Sequence, residues 1–314
     1  MSAPPHPGAG TPDAHPGEPE FSLDRAALRR GFDRAATRAD AEVLAREVAR
    51  RMDERLDYIR IDPRRVLDLG CGRGADLAPL TARFARATIF AADSSPRMLA
   101  QASARVAPTR GGLLRKLIGG GRQIPHFVAD ASALPLAAGS IDLVWSNLML
   151  PALDDPLPAF REIHRSLTVG GLLMFSTLGP DSLRELRAAL PARRGERVHR
   201  FIDMHDLGDA LVRAGFSDPV IDMEMLTLTY TRLDDLLDDL RASGASNAAR
   251  SRPRGLGGRA EWQEARAAYE RLRSEGRLPA SFEIIQGHAW KPEPKTTADG
   301  RNIMRFHTRR PEAP

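Results

Sequence analysis

Residues 66–74 read VLDLGCGRG. Val66, Leu67 and Leu69 form a short apolar run interrupted by one carboxylate, Asp68, and glycines follow at Gly70, Gly72 and Gly74. Glycines in a turn let a ligand lie against bare backbone, beside the N-terminus of the helix that comes next. The nonapeptide therefore predicts a strand, a tight turn and a helix start that together hold a small polar ligand.

Outward from this point, short apolar runs alternate with helical segments. The strands expected are 64–69, 87–92, 125–129, 141–146, 170–177, 219–226 and 282–290. Helices are expected near 75–84, 95–106, 156–167, 181–190 and 205–214. Such alternation predicts a mostly parallel sheet with helices on both faces. From Phe21 to Tyr58, Leu28, Phe32, Val43, Leu44, Val48, Met52 and Leu56 recur at helical steps, and Pro63 ends the run. Two inserts interrupt the alternation. Residues 107–124, APTRGGLLRKLIGGGRQI, are Gly-rich and basic. Residues 230–279 hold two helical patterns around GASNAARSRPRGLGGR, between the last two strands, where a lid can be built. Residues 1–20 are rich in Pro and Gly and lack both a basic start and an apolar core, so they read as a disordered tail rather than a signal peptide. Residues 291–314 read as a C-terminal tail, leaving the folded domain at 21–290.

The glycines alone leave the ligand open. Read loosely, Gly70-x-Gly72-x-x-Ala75 also satisfies a dinucleotide fingerprint, with Asp93 at the right distance for a ribose. The additional carboxylates narrow the choice. Asp68 sits inside the strand end, where it suits a cationic amino group and would repel a pyrophosphate. Asp93 closes the second strand in IFAADSS, placed to accept from two ribose hydroxyls. Asp130 closes the third in FVADASALPL, placed to accept from an adenine amino group. Together they describe a ligand with an amino acid, a ribose and an adenine, and no phosphate.

In this order and spacing, VLDLGCGRG, AADSSPRML, VADASALPL, IDLVWSNL and VGGLLMFST resemble the class I S-adenosylmethionine-dependent methyltransferases. The resemblance implies α/β architecture: a seven-stranded, Rossmann-like class I methyltransferase sheet whose last strand, SFEIIQGHAW, runs antiparallel. It implies S-adenosyl-L-methionine as cofactor. By the family's pattern, Asp68 and the Gly70, Gly72, Gly74 turn hold the methionine end, and Asp93 the ribose. Met98 packs on the adenine, or is plain core. Asp130 and Ala131 hold the adenine edge, and Asn147 borders the transferred methyl.

Three further stretches, FSTLGPDSLRELR (175–187), HRFIDMHDLGDALVRAGF (199–216) and LRASGASNAARSR (240–252), resemble the malonyl-acyl-carrier-protein O-methyltransferases of biotin synthesis, as does GRLPASFEIIQGHAW. The acceptor implied is the free carboxylate of a malonyl thioester on an acidic carrier protein. An ionised carboxylate needs no general base, but it needs a cation to grip it, and an Arg fork suits it best. Arg200 and Arg241 are the candidates. Basic residues of the 107–124 loop, such as Arg110, Arg115, Lys116 and Arg122, would steer the acidic partner. The same stretches resemble the methyltransferase-like proteins of respiratory complex I assembly, one of which hydroxylates a protein arginine. Biotin-pathway enzymes also carry an aromatic after the fourth strand and a Tyr after an N-terminal Phe, where this chain has Pro151, Ala152 and Ala39. A third reading is therefore a non-catalytic module with a relict cofactor pocket.

Bulk properties bound these readings. The chain has 314 residues, enough for a sizeable core. No apolar run approaches the ~18 residues that span a bilayer. The single cysteine, Cys71, excludes an intrachain disulfide framework and suits a reducing cytoplasm. The net charge of +5 comes from dispersed Arg with no appended RNA-binding motif, which argues against nucleic acid. No His/carboxylate spacing predicts a metal. His199 and His205 are expected near the acceptor wall; His164, Trp145 and Trp290 are expected to be structural.

Overall fold

The computed structural model describes residues 22–38, 42–107, 123–190, 197–244, 246–253 and 258–294. The expected tail at 1–20, most of 291–314, the four basic residues of the 107–124 loop, and Ala39 lie outside these described residues.

Seven strands form one sheet: β1 (Arg65–Leu69), β2 (Thr88–Asp93), β3 (His126–Val128), β4 (Ile141–Ser146), β5 (Leu167–Leu178), β6 (Ser217–Tyr230) and β7 (Leu278–Trp290). Their order is β3-β2-β1-β4-β5-β7-β6. Strands β1 to β5 pair in parallel, and β7 runs antiparallel to both β5 and β6, as expected for SFEIIQGHAW. The strand order reverses between β1 and β4. In an open α/β sheet this switch point leaves a crevice at the carboxyl ends of the strands.

Helices α1 (Arg25–Ala35), α2 (Val43–Arg55), α3 (Leu77–Arg83), α4 (Pro96–Val106), α5 (Pro156–Ser166), α6 (Arg184–Ala189), α7 (Met204–Ala214), α8 (Leu233–Ala242) and α9 (Arg259–Glu270) accompany the sheet. The central strands β1, β4, β5 and β7 are buried on both faces, which is why they read as largely apolar runs, whereas the edge strand β6 alternates between half-buried and exposed residues. Val66, Leu143, Trp145, Leu172 and Met174 face one core with Val48, Met52, Leu77 and Leu99; Leu67, Val144, Leu173 and Phe175 face the other with Leu157, Phe160, Leu207 and Leu211. Trp145 is core, and Trp290 packs half-buried on its edge.

Helix boundaries differ from expectation where turn chemistry takes residues away. Helix α3 begins at Leu77 rather than Ala75 because Gly74 N–H closes the turn on the Cys71 carbonyl at 2.8 Å. Helix α6 begins at Arg184 because Ser182 N–H bonds the Gly179 carbonyl and Leu183 takes φ +57°. The edge strand β6 runs longer than expected because β7 pairs with it through to Tyr230↔Leu278. The insert between them holds α8 and α9, the two helical patterns read at 230–279.

Gly287 lies opposite Phe175 in the β5–β7 ladder, and a Cβ there would stand 2.6 Å and 2.7 Å from that ring. Gly287→Val should therefore lower unfolding stability by about 1–3 kcal/mol through overpacking. Urea unfolding measures this; an unchanged midpoint would show that the ring and strand re-pack without cost.

Candidate active site

The sheet register brings the expected carboxylates to one edge. Asp68 on β1 stands beside Ala91 of β2 and Trp145 of β4, and Asp93 on β2 stands beside Val128 of β3. The three glycines of the turn have φ of +77°, +51° and +74° at Gly70, Gly72 and Gly74, all in the region that favours glycine. Gly70 and Cys71 donate to the Ala92 carbonyl at 2.8 and 3.1 Å, which folds the turn back over β2. A Cβ at Gly70 would strike the Met149 side chain at 2.5 Å, whereas one at Gly72 would meet nothing within 4 Å. Gly72 thus presents bare backbone to open space.

Asp68 is buried, and its Oδ2 has no hydrogen-bond partner among the described residues. Burial pushes its carboxyl well above the usual range, and the neighbouring Asp76 and Asp93 charges push it further. Asp93 accepts from Gly72 N–H at 2.9 Å on one oxygen and from Ser95 N–H at 2.8 Å on the other. Burial raises its pKa against those bonds. Asp76, which the sequence reading missed, is a third buried carboxylate. It accepts from Trp145 Nε1 at 2.8 Å and from Asn147 Nδ2 at 3.1 Å, and burial raises it too. Among the described residues no ion pair reaches any of the three. A cluster of buried carboxylates with an orphaned oxygen demands a cationic ligand. A sulfonium compound with an amino group meets that demand.

Asp130 is more exposed. Its Oδ1 accepts from Ser132 Oγ at 2.6 Å and Ser132 N–H at 2.9 Å, which hold its pKa below the usual carboxylate range; Arg25 Nη1 stands 3.5 Å from Oδ2. Ala131 is buried beside it. Met98 is buried against Ala35, Ala36 and Phe32, and it also lines the cavity, so it is both core and wall. Asn147 is held on three sides: Nδ2 donates to the Ala45 carbonyl at 2.9 Å and to Asp76, and Oδ1 accepts from Ser176 Oγ at 2.9 Å. The next residue, Leu148, takes φ +55°, backbone strain of the kind that gathers at functional sites.

One cavity of about 1030 Å³ runs from the glycine turn to an apolar lobe under the insert. Leu178, Leu186, Leu228, Tyr230, Trp262 and Phe282 line that lobe. Asp68, Gly70, Gly72, Asp93, Met98, Asp130, Ala131 and Asn147 all line the cavity. Gly74 does not line it; a Cβ there would stand 2.8 Å from Leu77 and 2.9 Å from Ala102, so it permits close packing of α3 and α4 on the turn. Pro151 and Ala152 line the cavity from a short 3₁₀ turn, Leu150–Ala152. Aromatic surface comes instead from Phe32, Phe201, Tyr230, Trp262 and Phe282.

The two expected arginines separate. Arg241 lines the cavity from the end of α8 and pairs with Asp238 at 2.9 Å. Arg200 is exposed and borders a small adjoining niche with Leu150, Pro151 and Thr177. His199 lines the cavity edge-on to Phe201, with ring centroids 5.2 Å apart, while His205 is exposed at the start of α7 and away from the lining. His164 is half-buried against Phe216. Arg197, not singled out from the sequence, lines the cavity and is paired with Glu261 of α9.

A methyltransferase-domain family model matches residues 67–175. The malonyl-[acyl-carrier protein] O-methyltransferase of Laribacter hongkongensis is 49% identical over 300 residues, covering 94% of this chain and 98% of that protein. Its namesake from Gallionella capsiferriformans is 48% identical over 91% of this chain and 97% of that one. Among solved structures, a Bacillus halodurans protein described as a methyltransferase superposes with a TM-score of 0.54 at 18% identity, over 79% of this chain and all of that one, a likeness of fold alone. With the donor-side carboxylates, the glycine turn and the antiparallel seventh strand in place, the chain belongs to the malonyl-[acyl-carrier protein] O-methyltransferase family of the class I S-adenosylmethionine-dependent methyltransferases.

Proposed function

We propose that this enzyme methylates the free carboxylate of malonyl-acyl carrier protein in biotin (pimeloyl) synthesis, in the cytoplasm. The observation that carries the reading is the single cavity. It joins a carboxylate-lined donor end, fit for a cationic cofactor, to an apolar lobe fit for an acyl thioester. Among the described residues no helix is long and apolar enough to cross a membrane, and no group of three or more His, Cys, Asp or Glu is gathered as a metal site.

Asp68 would take the cofactor's amino group on its orphaned Oδ2. Asp93 keeps a free lone pair on each oxygen after its bonds to Gly72 and Ser95, and these would accept from the ribose. Asp130, Ala131 and Met98 would frame the adenine. When bound, S-adenosylmethionine supplies an electrophilic methyl, whose S–CH₃ bond breaks toward sulfur as a carboxylate oxygen forms the O–CH₃ bond of the ester. No proton moves, so no general base is required. The protein's work is placement and exclusion of water. Asn147, held by Ala45, Asp76 and Ser176, is a fixed wall where the two halves of the cavity meet. Arg241 would guide the acceptor at the exposed rim of α8, and Arg200 would act outside the lining, on the approach of the carrier. Masking the acceptor's charge as an ester suits it to enzymes that elongate uncharged acyl chains.

Two outcomes are expected. With methyl-labelled S-adenosylmethionine, base-labile label should appear on malonyl- but not acetyl-acyl carrier protein. Label on neither, with cofactor binding intact by calorimetry, would sink the reading and turn the search to iron- and oxygen-dependent hydroxylation of a protein arginine. The second concerns Asp68. Its native pKa lies above its unfolded value, so the native state holds the proton longer, and this one group's contribution to the stability of the ligand-free protein is fully present below its unfolded pKa and is lost as pH rises through the native pKa. Asp68→Asn removes that cost. At neutral pH it should raise the ligand-free Tm by roughly 2 °C or more, while weakening cofactor affinity about 10- to 100-fold. A Tm that drops with affinity unchanged would show that Asp68 is purely structural.

A further inference from the structure

Methylating a carboxylate inside a largely apolar cavity sets two demands that conflict. The acceptor's charge must be stabilised once it leaves water. One of its oxygens must also stay free to attack. A full bidentate arginine fork meets the first demand and hinders the second, because it draws charge from both oxygens and so lowers the nucleophilicity of each.

Of the six arginines lining the cavity, four are already committed, and Arg29 is exposed on α1. Arg73 pairs with Glu42 at 3.2 Å, and Glu42 also receives Arg46 and Arg105. Burial alone would raise the Glu42 pKa, but the bonds from Arg105 and Arg46 bring it down to about 2. Arg252 pairs with Asp24 at 2.6 Å and donates to the Ala249 carbonyl at 2.8 Å. Arg25 lies between Asp130 and Asp154, and Arg241 pairs with Asp238 while remaining half exposed.

Arg197 differs. Its side chain is only 17% exposed. Glu261 takes its Nη2, and its buried Nε has no partner among the described residues. It enters the wall where the apolar lobe is built. Val198 beside it belongs to the same buried cluster as Leu178, Leu183 and Leu186, and Trp262 beside Glu261 lines the cavity with Arg266 5.3 Å over its ring. A buried guanidinium N–H left unpaired costs stability unless a ligand completes it.

We propose that Arg197 is the specificity-determining residue that receives the acceptor's carboxylate, with Glu261 restricting it to a one-oxygen grip. This rests on the carboxyl-methylation reading above. Glu261 engages Nη2 and so competes for the side-on fork that Nη2 makes with Nε; on that edge Nε–H is left to donate to one carboxylate oxygen. The second oxygen stays free to form the ester bond. Glu261 belongs to the insert helix α9, so the insert contributes directly to acceptor recognition.

The test compares wild type, Arg197→Gln, Arg197→Lys and Glu261→Gln on two acceptors, malonyl-acyl carrier protein and the malonyl thioester of coenzyme A. Arg197→Gln should raise KM by about tenfold or more on both acceptors alike, with cofactor Kd changed by less than about twofold. Arg197→Lys, which keeps the charge on a point donor, should fall between wild type and Arg197→Gln and keeps the test valid if the Gln variant misfolds. Glu261→Gln weakens the hold on Nη2 and lets the fork form more readily, so KM should not rise and kcat should fall. An unchanged KM in Arg197→Gln would overturn the assignment. So would a loss confined to the carrier-protein acceptor, which would mark a carrier contact. So would a Glu261→Gln variant that reproduces the KM loss of Arg197→Gln, which would mark a structural ion pair. A wild type that labels neither acceptor would overturn the functional reading itself, and this assignment with it.

Discussion

Everything at the donor end depends on the Ala92 carbonyl receiving two N–H groups, from Gly70 and Cys71. That pair of bonds turns the chain leaving β1 across the end of β2, and the geometry demands φ of +77° at Gly70. The turn carries Gly72 onto Asp93, whose carboxylate accepts its N–H at 2.9 Å. It also leaves Asp68 buried behind the loop with an oxygen that no donor among the described residues reaches. The same few residues thus close the first βα unit and create its unmet electrostatic demand. A side chain at Gly70 would collide with Met149, on the segment after β4. The turn is therefore packed against the end of β2 and the segment after β4, beside the crevice where the sheet order reverses.

The carboxylates are costly in the ligand-free fold, and the cost is local. Asp68, Asp76 and Asp93 are all raised, chiefly by burial, whereas Glu42, with three arginines around it, is pulled down to about 2. One set has no cation of the protein paired with it among the described residues; the other is neutralised by three arginines. The difference separates a binding surface from a structural ion-pair network within a single cavity wall. It also separates the roles of two neighbouring polar groups. Asp76 is satisfied by Trp145 and Asn147 and serves to orient Asn147, while Asp68 lacks any such partner on Oδ2.

The donor half was legible in the sequence for a physical reason. Parallel strands buried on both faces are short apolar runs, and a carboxylate at the end of such a run stands out against them. Asp68, Asp93 and Asp130 each break a run in this way, and the structure brings all three to one edge. Asp76 was not legible, because an acidic residue ahead of a helix reads as an ordinary first-turn residue; only the fold reveals that Trp145 and Asn147 point at it. The acceptor half was less legible still. Arg197 and Arg200 lie three positions apart in a stretch without periodicity, and nothing in their spacing says which one faces the cavity. The partner that distinguishes Arg197, Glu261, is 64 residues away on a helix whose own pattern encodes only its packing. Helix boundaries were misplaced at Leu77 and Arg184 because hydrogen-bonded turns consumed the residues ahead of them, a local effect that apolar periodicity does not report.

The division between the halves follows from what each must recognise. On the proposed reading, the donor ligand has fixed charges at fixed separations, and the residues proposed to meet them stand at strand ends whose register the sheet sets. The acceptor is a flexible acyl thioester whose one distinguishing group is a carboxylate. An apolar lobe with one partly satisfied cation suffices for it, and such a lobe can be assembled from any elements that reach the crevice. Pro151 and Ala152 show this directly. They stand in the wall where an aromatic was expected, yet the lobe remains aromatic because Phe201, Tyr230, Trp262 and Phe282 converge on it from β6, β7, the insert and the segment before α7. Loss of one aromatic after β4 therefore does not imply loss of the acceptor site. The chemistry asks for apolar surface and one held oxygen, and neither has to come from a particular strand.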